Sequence, residues 1–293
     1  MLILDLSNVV ITKVQEYLAY EKDELSESMV RHITLSQILY FKKKFRNYGQ
    51  VVLAVDTSNY WRKDVFKLYK QNRIKMRQKS TVDWNEFFRI FGIIKEEIRT
   101  NFPYVFVSLP RVEADDVIAV LTRRKSPHEP VMIVSADKDM IQIQNKCGKN
   151  VKQYSPKTKK FLTTSNTEYD LFTHYVKGDS GDGIPNILSD EDTFLCEDKR
   201  QKQVRAPFIK EMKERVNNES IFEHIMHDVD SDGDVIKKFK RNVRLIDIDF
   251  IPMDIQESII DVYTDSKDNL VNNVYKYLMQ HRMKILMQKV GEF

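Results

Sequence analysis

Only two cysteines, Cys147 and Cys196, occur in 293 residues, and they form no CxxC pair; the six histidines never fall at HxH or HExxH spacing. Zinc sites built from thiolates or imidazoles need such spacings, so any metal here is expected to be bound by oxygen. No apolar run approaches the roughly 20 residues of a membrane span. The opening Met1-Leu2-Ile3-Leu4-Asp5 has no basic leader and no cleavage site. It enters a strand directly, so translation is expected to begin inside the fold of a soluble, cytoplasmic protein. Repeats and low-complexity tracts are missing as well. A large net charge is also lacking, since 47 Lys and Arg against 43 Asp and Glu leave +4.

What is present is a core-forming composition, 42% apolar, enough for one large domain or two. Strand and helix signals alternate through the first half: strand 2–5, helix 28–46, strand 51–55, a basic and aromatic segment 60–100, strand 104–108, helix 113–124 and strand 131–136. The strands are unbroken aliphatic runs, as in a parallel sheet buried on both faces, and their order implies βαβ crossovers. Residues 151–154 and 160–163 read as a marginal hairpin across Ser-Pro-Lys-Thr. Beyond about 167 the pattern is helical, over 167–177, 203–217, 219–227, 234–244, 255–264 and 271–289. The expected fold is therefore α/β: a central, mainly parallel sheet with flanking helices and a helical bridge, followed by a mostly α-helical C-terminal region. The boundary is placed at Pro185, giving an α/β catalytic domain over 1–185 and a helical region over 186–293, because glycines and a proline break the pattern there.

Acids recur where these runs stop. Asp5, Asp56 and Asp137 end strands, Asp139 follows two residues later, Glu113, Asp115 and Asp116 open a helix, and Asp179 and Asp182 stand in Gly-Asp-Ser-Gly-Asp-Gly. Ligands of open α/β sheets bind beyond the carboxyl ends of the strands. Nine carboxylates in five places would repel one another, and divalent cations offset that directly. Two ions about 4 Å apart can clamp the attacking and leaving oxygens of a phosphodiester displacement. Strand-end aspartates as helix caps account for one or two of the set but not for all. A rival calcium loop opens at Asp228-Val-Asp230-Ser-Asp232-Gly233, but its twelfth position is Phe239 where a bidentate Glu is needed, so an acidic turn is favoured.

Cations are segregated elsewhere. From Arg62 to Lys79 there are eight Lys or Arg against the single acid Asp64, and Lys237, Lys238, Lys240, Arg241 and Arg244 form an acid-free run. Positions 237, 240, 241 and 244 share one helical face. A cationic helix beside an acidic metal site draws in phosphate that the carboxylates alone would repel.

The ordered set Leu-Asp5, Ala-Val-Asp56, Tyr60-Trp61-Arg62, Tyr69-Lys70-Gln-Asn-Arg73, Glu113-Ala-Asp115-Asp116, Ser135-Ala-Asp137-Lys-Asp139 and Lys177-Gly-Asp179-Ser-Gly-Asp182 resembles the 5′-nuclease family of flap endonucleases and polymerase-associated 5′ exonucleases. Within it the likeness is to the subgroup of T-even phages, and it runs through Asn242-Val-Arg-Leu-Ile-Asp to Glu292-Phe293. The resemblance implies a structure-specific nuclease with two Mg²⁺ ions, for which Mn²⁺ can substitute. It implies a first metal on Asp5, Asp56, Glu113 and Asp115 and a second mainly on Asp137, Asp139, Asp179 and Asp182. The segment 60–100 matches the family's arch, with Lys70 and Arg73 reaching the scissile phosphate and Asp115 central between the ions. Arg62, Lys63, Lys75, Arg77, Lys237, Lys240, Arg241 and Arg244 complete the expected nucleic-acid contacts. Where many relatives continue with a Gly-Ile-Gly potassium site, this chain has Ile187-Leu-Ser-Asp-Glu-Asp192 and a basic insert over 199–215, so that site is not expected.

The implied activity is 5′ to 3′ exonuclease and flap endonuclease cleavage that removes RNA primers from RNA·DNA hybrids, with adjoining DNA, in lagging-strand replication. Its substrates are forked, flapped or nicked duplexes, and its family partners are a single-stranded-DNA-binding protein and a sliding clamp. The amphipathic helix over 271–290 would meet those partners or pack on its own domain. A monomer is expected. The enzymatic rival is a PIN-type ribonuclease, which shares the acid-lined sheet but lacks the arch; the non-enzymatic rival is a metal-binding DNA scaffold.

Overall fold

A computed structural model describes residues 1–21, 24–163, 170–215 and 233–293. The expected helix over 219–227 and the Asp228–Asp232 loop lie outside the described residues. In chain order the elements are β1 (Leu2–Asp5), α1 (Leu6–Glu21), α2 (Glu27–Lys44), β2 (Val51–Ala54), α3 (Arg62–Val65), α4 (Asn72–Gln78), α5 (Trp84–Asn101), β3 (Val105–Val107), α6 (Ala114–Lys125) and β4 (Val131–Val134). There follow α7 (Ile141–Cys147), β5 (Val151–Ser155), β6 (Lys160–Leu162), α8 (Leu171–Lys177), α9 (Ala206–Arg215), α10 (Asp234–Ile246), α11 (Met253–Asp268), α12 (Val274–Gln280) and α13 (Lys284–Met287).

The chain packs as two compact units. One comprises Met1–Asn59, Thr81–Glu168 and Ile251–Phe293; the other comprises Tyr60–Ser80 and Tyr169–Phe250. In the first, six strands run in the order β3-β2-β1-β4-β5-β6, all parallel except the β5–β6 hairpin. Strands β1 to β4 are buried along their whole length, which is why their sequences are continuous aliphatic runs rather than alternating ones. Helix α1 follows β1 without a loop and buries Leu6, Val9, Val10 and Val14. Sequence reading left this stretch unassigned, although that spacing is helical. Ser26 caps α2 by accepting from the Met29 amide at 3.3 Å, and Asp83 caps α5 by accepting from Glu86 at 3.0 Å.

Three expectations are corrected. The arch does not extend to 100: α5 buries Phe87, Ile90, Phe91, Ile94 and Ile98 in the core of the sheet unit, because those positions form one apolar stripe. The segment over 271–290 is not one helix. Arg282 takes a positive φ of 53° between α12 and α13, and Val274, Tyr277, Leu278, Leu286 and Phe293 join the sheet unit's core. Packing also does not divide at 185, since α11 returns to the sheet and its Ser266 hydroxyl accepts from the Phe106 amide of β3 at 2.8 Å.

The same unit contains a buried ion pair. Arg31 Nε and Nη2 donate to Glu97 at 2.9 and 2.8 Å, and Tyr277 donates to the same carboxylate at 2.7 Å. Glu97→Ala leaves Arg31 with Glu27 alone, 2.5 Å from the guanidinium, and is expected to destabilise the protein by about 1 to 3 kcal/mol. Urea unfolding monitored by circular dichroism measures this, and a loss under about 1 kcal/mol would show the pair to be dispensable.

Candidate functional site

In the sheet unit β1 lies between β2 and β4, with Asp5 opposite Ala54 and Leu4 opposite Val134. Asp56 and Asp137 follow the ends of β2 and β4, so three adjacent parallel strands deliver carboxylates to one edge. The β1–β4 boundary is also where strand order reverses, the usual ligand position of such sheets. Asp5 is buried and accepts from the Asn8 amide at 3.0 Å and from the Ser135 hydroxyl at 2.9 Å. Burial first, then the charges of Asp56 and Asp137, push its carboxyl up to about 7 against those two hydrogen bonds.

Asp56 accepts from the Ala114 amide at 2.9 Å. This holds it at the N-terminus of α6, where the helix dipole favours anions, beside Glu113 and Asp115. Glu113 is buried, and its amide donates to the buried Asp116 carboxylate at 3.2 Å. Asp116 thus closes the helix start and has a structural role. Asp137 Oδ1 accepts from the Asp139 amide at 2.8 Å, and Gln153 of β5 donates to the Asp137 carbonyl at 2.6 Å. Asn8 Oδ1 accepts from Ala136 at 3.0 Å, tying the ends of β1 and β4 together. Among the described residues, neither Asp5 nor Asp56 enters an ion pair. An all-oxygen donor set carrying several negative charges fits a hard divalent cation.

Sequence reading passed over Asn8, Ser135 and Gln153 as orienting groups, and Lys95. Ser135 stood inside a quoted motif, and Asn8 lies three residues past Asp5, so both had a signal. Lys95 is pushed down by burial, and the negative charge of Asp56 partly counters that; nothing in its helix marked it.

The second unit holds the cationic residues and the other acids. After α8, Asp179 and Ile184 form an antiparallel bridge at 2.9 and 2.7 Å, and Gly178 at φ 67° starts the turn. A Cβ there would lie 2.2 Å from the Ile184 carbonyl oxygen, so only glycine fits. Asp179 Oδ1 accepts from the Gly181 amide at 2.7 Å. Asp182 accepts from the Tyr69 hydroxyl at 2.8 Å and pairs with Arg73 at 2.5 Å and Lys70 at 3.5 Å. Burial alone would raise this carboxyl, but the Lys70 and Arg73 charges and the Tyr69 hydrogen bond hold it below the ordinary carboxylate range. Lys70 stands over the rings of Tyr60 and Tyr69 at 5.3 and 5.1 Å. The sequence supplied no matching cations for the acids in general, yet for Asp182 the fold does supply them.

The remaining expected contacts separate by burial. Arg62 is buried, with Nε donating to the Leu245 carbonyl at 2.9 Å and its guanidinium over the Trp61 ring. Arg241 is buried over Phe66 and bonded to Pro185, Glu191 and Asn242. Both hold the unit together rather than presenting charge to a ligand, which corrects their assignment. Lys63 and Lys75 are half-buried, with Lys75 donating to the Leu195 carbonyl, whereas Arg77, Lys237, Lys240 and Arg244 are exposed.

A family model described as 5′-3′ exonuclease, N-terminal resolvase-like domain, matches residues 3–172, and one described as T4 RNase H, C terminal, matches residues 165–293. The chain is 31% identical over 285 residues to ribonuclease H of Enterobacteria phage T4, covering 93% of this chain and 89% of that one. It is 30% identical over 177 residues to a 5′-3′ exonuclease of Buchnera aphidicola, covering 57% and 58%. Among solved structures, a phage T5 flap endonuclease complexed with DNA and metal ions superposes with a TM-score of 0.65 at 16% identity, covering 92% of this chain and 99% of that one. T5 5′-exonuclease with bound zinc gives 0.64 at 16% identity, covering 91% and 99%.

Proposed function

This chain belongs to the 5′-3′ exonuclease family of the T4 ribonuclease H type and is a phosphodiester hydrolase, and on that premise we propose that it is a Mg²⁺-dependent 5′ to 3′ exonuclease and flap endonuclease. Its substrates are 5′-ended nicked, flapped and forked DNA and RNA·DNA hybrids, and its task is removal of RNA primers with adjoining DNA during lagging-strand replication in a host cytoplasm. The observation that carries this reading is the delivery of Asp5, Asp56 and Asp137 by three neighbouring strands to one edge of the sheet, with the Asp5 carboxyl raised first by its burial and then by the charges of the other two.

Asp5, Asp56, Glu113 and Asp115 would hold one ion, and Asp137 and Asp139 would contribute to a second, whereas Asp182 is already paired with Lys70 and Arg73. Bound there, Mg²⁺ or Mn²⁺ supplies Lewis-acid stabilisation of the charge that develops on phosphate and lowers the pKa of water. The chain's own part is orientation and capture. Ser135 and the Asn8 amide fix the rotamer of Asp5, the N-terminus of α6 fixes Asp56, and Lys70 and Arg73 bind the scissile phosphate. Cleavage leaves 5′-phosphate and 3′-hydroxyl ends. The acid-bearing sheet carries catalysis, and Lys237, Lys240 and Arg244 grip the duplex. A single-stranded-DNA-binding protein and a sliding clamp are its working partners, and it acts as a monomer. No helix among the described residues is long and apolar enough to cross a membrane.

The test uses labelled 5′-flap, nicked and RNA-primed duplexes with and without Mg²⁺. All three are expected to be cut from the 5′ end only with the metal, and Asp137→Asn is expected to slow turnover by on the order of a hundredfold or more. Wild-type turnover by that variant in saturating Mg²⁺, or cleavage of plain single-stranded RNA without preference for 5′-ended junctions, overturns the reading.

A further inference from the structure

The β5–β6 hairpin carries charge that the reaction described above does not use. From Ile141 to Thr163 there are six lysines, Lys146, Lys149, Lys152, Lys157, Lys159 and Lys160, and no aspartate or glutamate. All six are exposed. Among the described residues, the last five enter no ion pair. Phe161 stands among them 46% exposed, edge-on to Tyr154 at 5.5 Å.

Lysines on a sheet edge commonly block pairing with another chain. That need is met differently at the two edges here. At β3 the helix α11 covers the edge, while at β6 only Lys160 and Phe161 precede Leu162 on the edge strand itself. Lys152 lies on the inner strand β5, Lys146 on α7, and Lys157 and Lys159 in the turn between β5 and β6, where there is no edge to protect. Edge protection therefore leaves most of this charge unexplained.

Position supplies the alternative. Strand β5 runs parallel to β4, so its carboxyl end, the turn bearing Lys157 and Lys159, and Lys160 at the start of β6 lie on the same side of the sheet as Asp5, Asp56 and Asp137. The two regions are physically joined, since the Ser135 amide donates to the Tyr154 carbonyl at 3.2 Å and Gln153 holds the Asp137 carbonyl. Exposed cations around an exposed ring, next to an edge that takes phosphodiester, match the composition of a surface that tracks a nucleic-acid backbone and stacks a base.

We propose that the β5–β6 hairpin is a second nucleic-acid-binding surface. Lys157, Lys159 and Lys160 neutralise backbone phosphates of substrate flanking the acid-bearing edge, Lys152 extends the track, and Phe161 offers a stacking face. This deepens the nuclease reading and rests on it.

The test is equilibrium binding of a labelled 5′-flap duplex in EDTA over a range of salt, comparing wild type, the triple variant Lys157→Glu/Lys159→Glu/Lys160→Glu, and Phe161→Ala. Charge reversal keeps the edge charged, so solubility is retained, and circular dichroism checks the fold. Neutralisation of a phosphate contributes about 0.9 to the slope of log affinity against log salt. The triple variant is expected to bind at least about tenfold more weakly at low salt, with a slope shallower by about 2 to 3. Phe161→Ala is expected to lose affinity by about fivefold or more with its slope unchanged. A folded triple variant with wild-type affinity and slope overturns the proposal. Wild-type cleavage with Mg²⁺ is run in parallel. If no substrate is cut, the nuclease reading fails while the slope still judges the hairpin; if cleavage is normal and the slope unmoved, the hairpin proposal fails alone.

Discussion

Asparagine in place of Asp5 is expected to abolish most cleavage and at the same time make the metal-free protein more stable above neutral pH. Asp5 is raised from 3.8 to about 7, first by burial and then by Asp56 and Asp137. A carboxyl whose folded pKa is raised contributes stability that is complete below about 3.8 and is lost as pH climbs through about 7. Above that range the ionised, buried group costs the fold on the order of 4 kcal/mol. The side-chain amide of the variant keeps an acceptor for the Asn8 amide and removes the charge. In EDTA the wild type should therefore lose stability between weakly acidic and weakly alkaline buffer, and Asp5→Asn should show a much smaller loss. Added Mg²⁺ should raise the melting temperature of the wild type, by preferential binding to the folded chain, and do little for the variant. Cleavage should fall by on the order of a thousandfold, about 4 kcal/mol of transition-state stabilisation. If Asp5→Asn proved less stable than wild type in EDTA at about pH 8, or responded to Mg²⁺ equally, the account of a strained anionic site would fail.

The second large effect concerns Asp182, which the fold uses as a counter-ion. Its pairs with Lys70 and Arg73 and the Tyr69 hydrogen bond anchor the turn after α8 to the basic segment. Asp182→Asn leaves Lys70, whose side chain is only 11% exposed, over two tyrosine rings without its anion. A loss of about 3 kcal/mol is expected. Because the folded carboxyl lies below its ordinary value, the contribution is present above the ordinary carboxylate range and disappears as pH falls through the depressed folded pKa. The wild-type and variant unfolding curves should thus be well separated at neutral pH and converge in acid. The same substitution releases two cations, so affinity for a flap duplex in EDTA should rise as stability falls. Equal stability at neutral pH, or weaker binding, would remove Asp182 from this role.

The contrast between these two aspartates shows what the sequence could and could not reveal. The strands were legible because both faces of the sheet are buried, and a carboxylate after each run pointed to the edge where Asp5, Asp56 and Asp137 gather. The pairing of Asp182 with Arg73 spans 109 positions and has no local signal, so a metal-ligand motif and a salt-bridge anchor look alike in one dimension. Charge runs likewise do not show which member turns inward. Arg241 sits at the margin of its cationic face and packs on Phe66, while Lys237, Lys240 and Arg244 stay outside. Helix α1 was missed because Val9, Val10 and Ile11 are β-branched and follow a strand directly, so composition hid a spacing that was already helical. The single helix expected over 271–290 failed for the opposite reason, an apolar periodicity that survives across the left-handed residue Arg282.

The return of α11 to β3 has a consequence for synthesis. Ser266 meets Phe106 160 positions later, so a ribosome must deliver the chain through α11 before that flank of the sheet is sealed. Until then the nascent chain displays an open strand and an incomplete apolar layer.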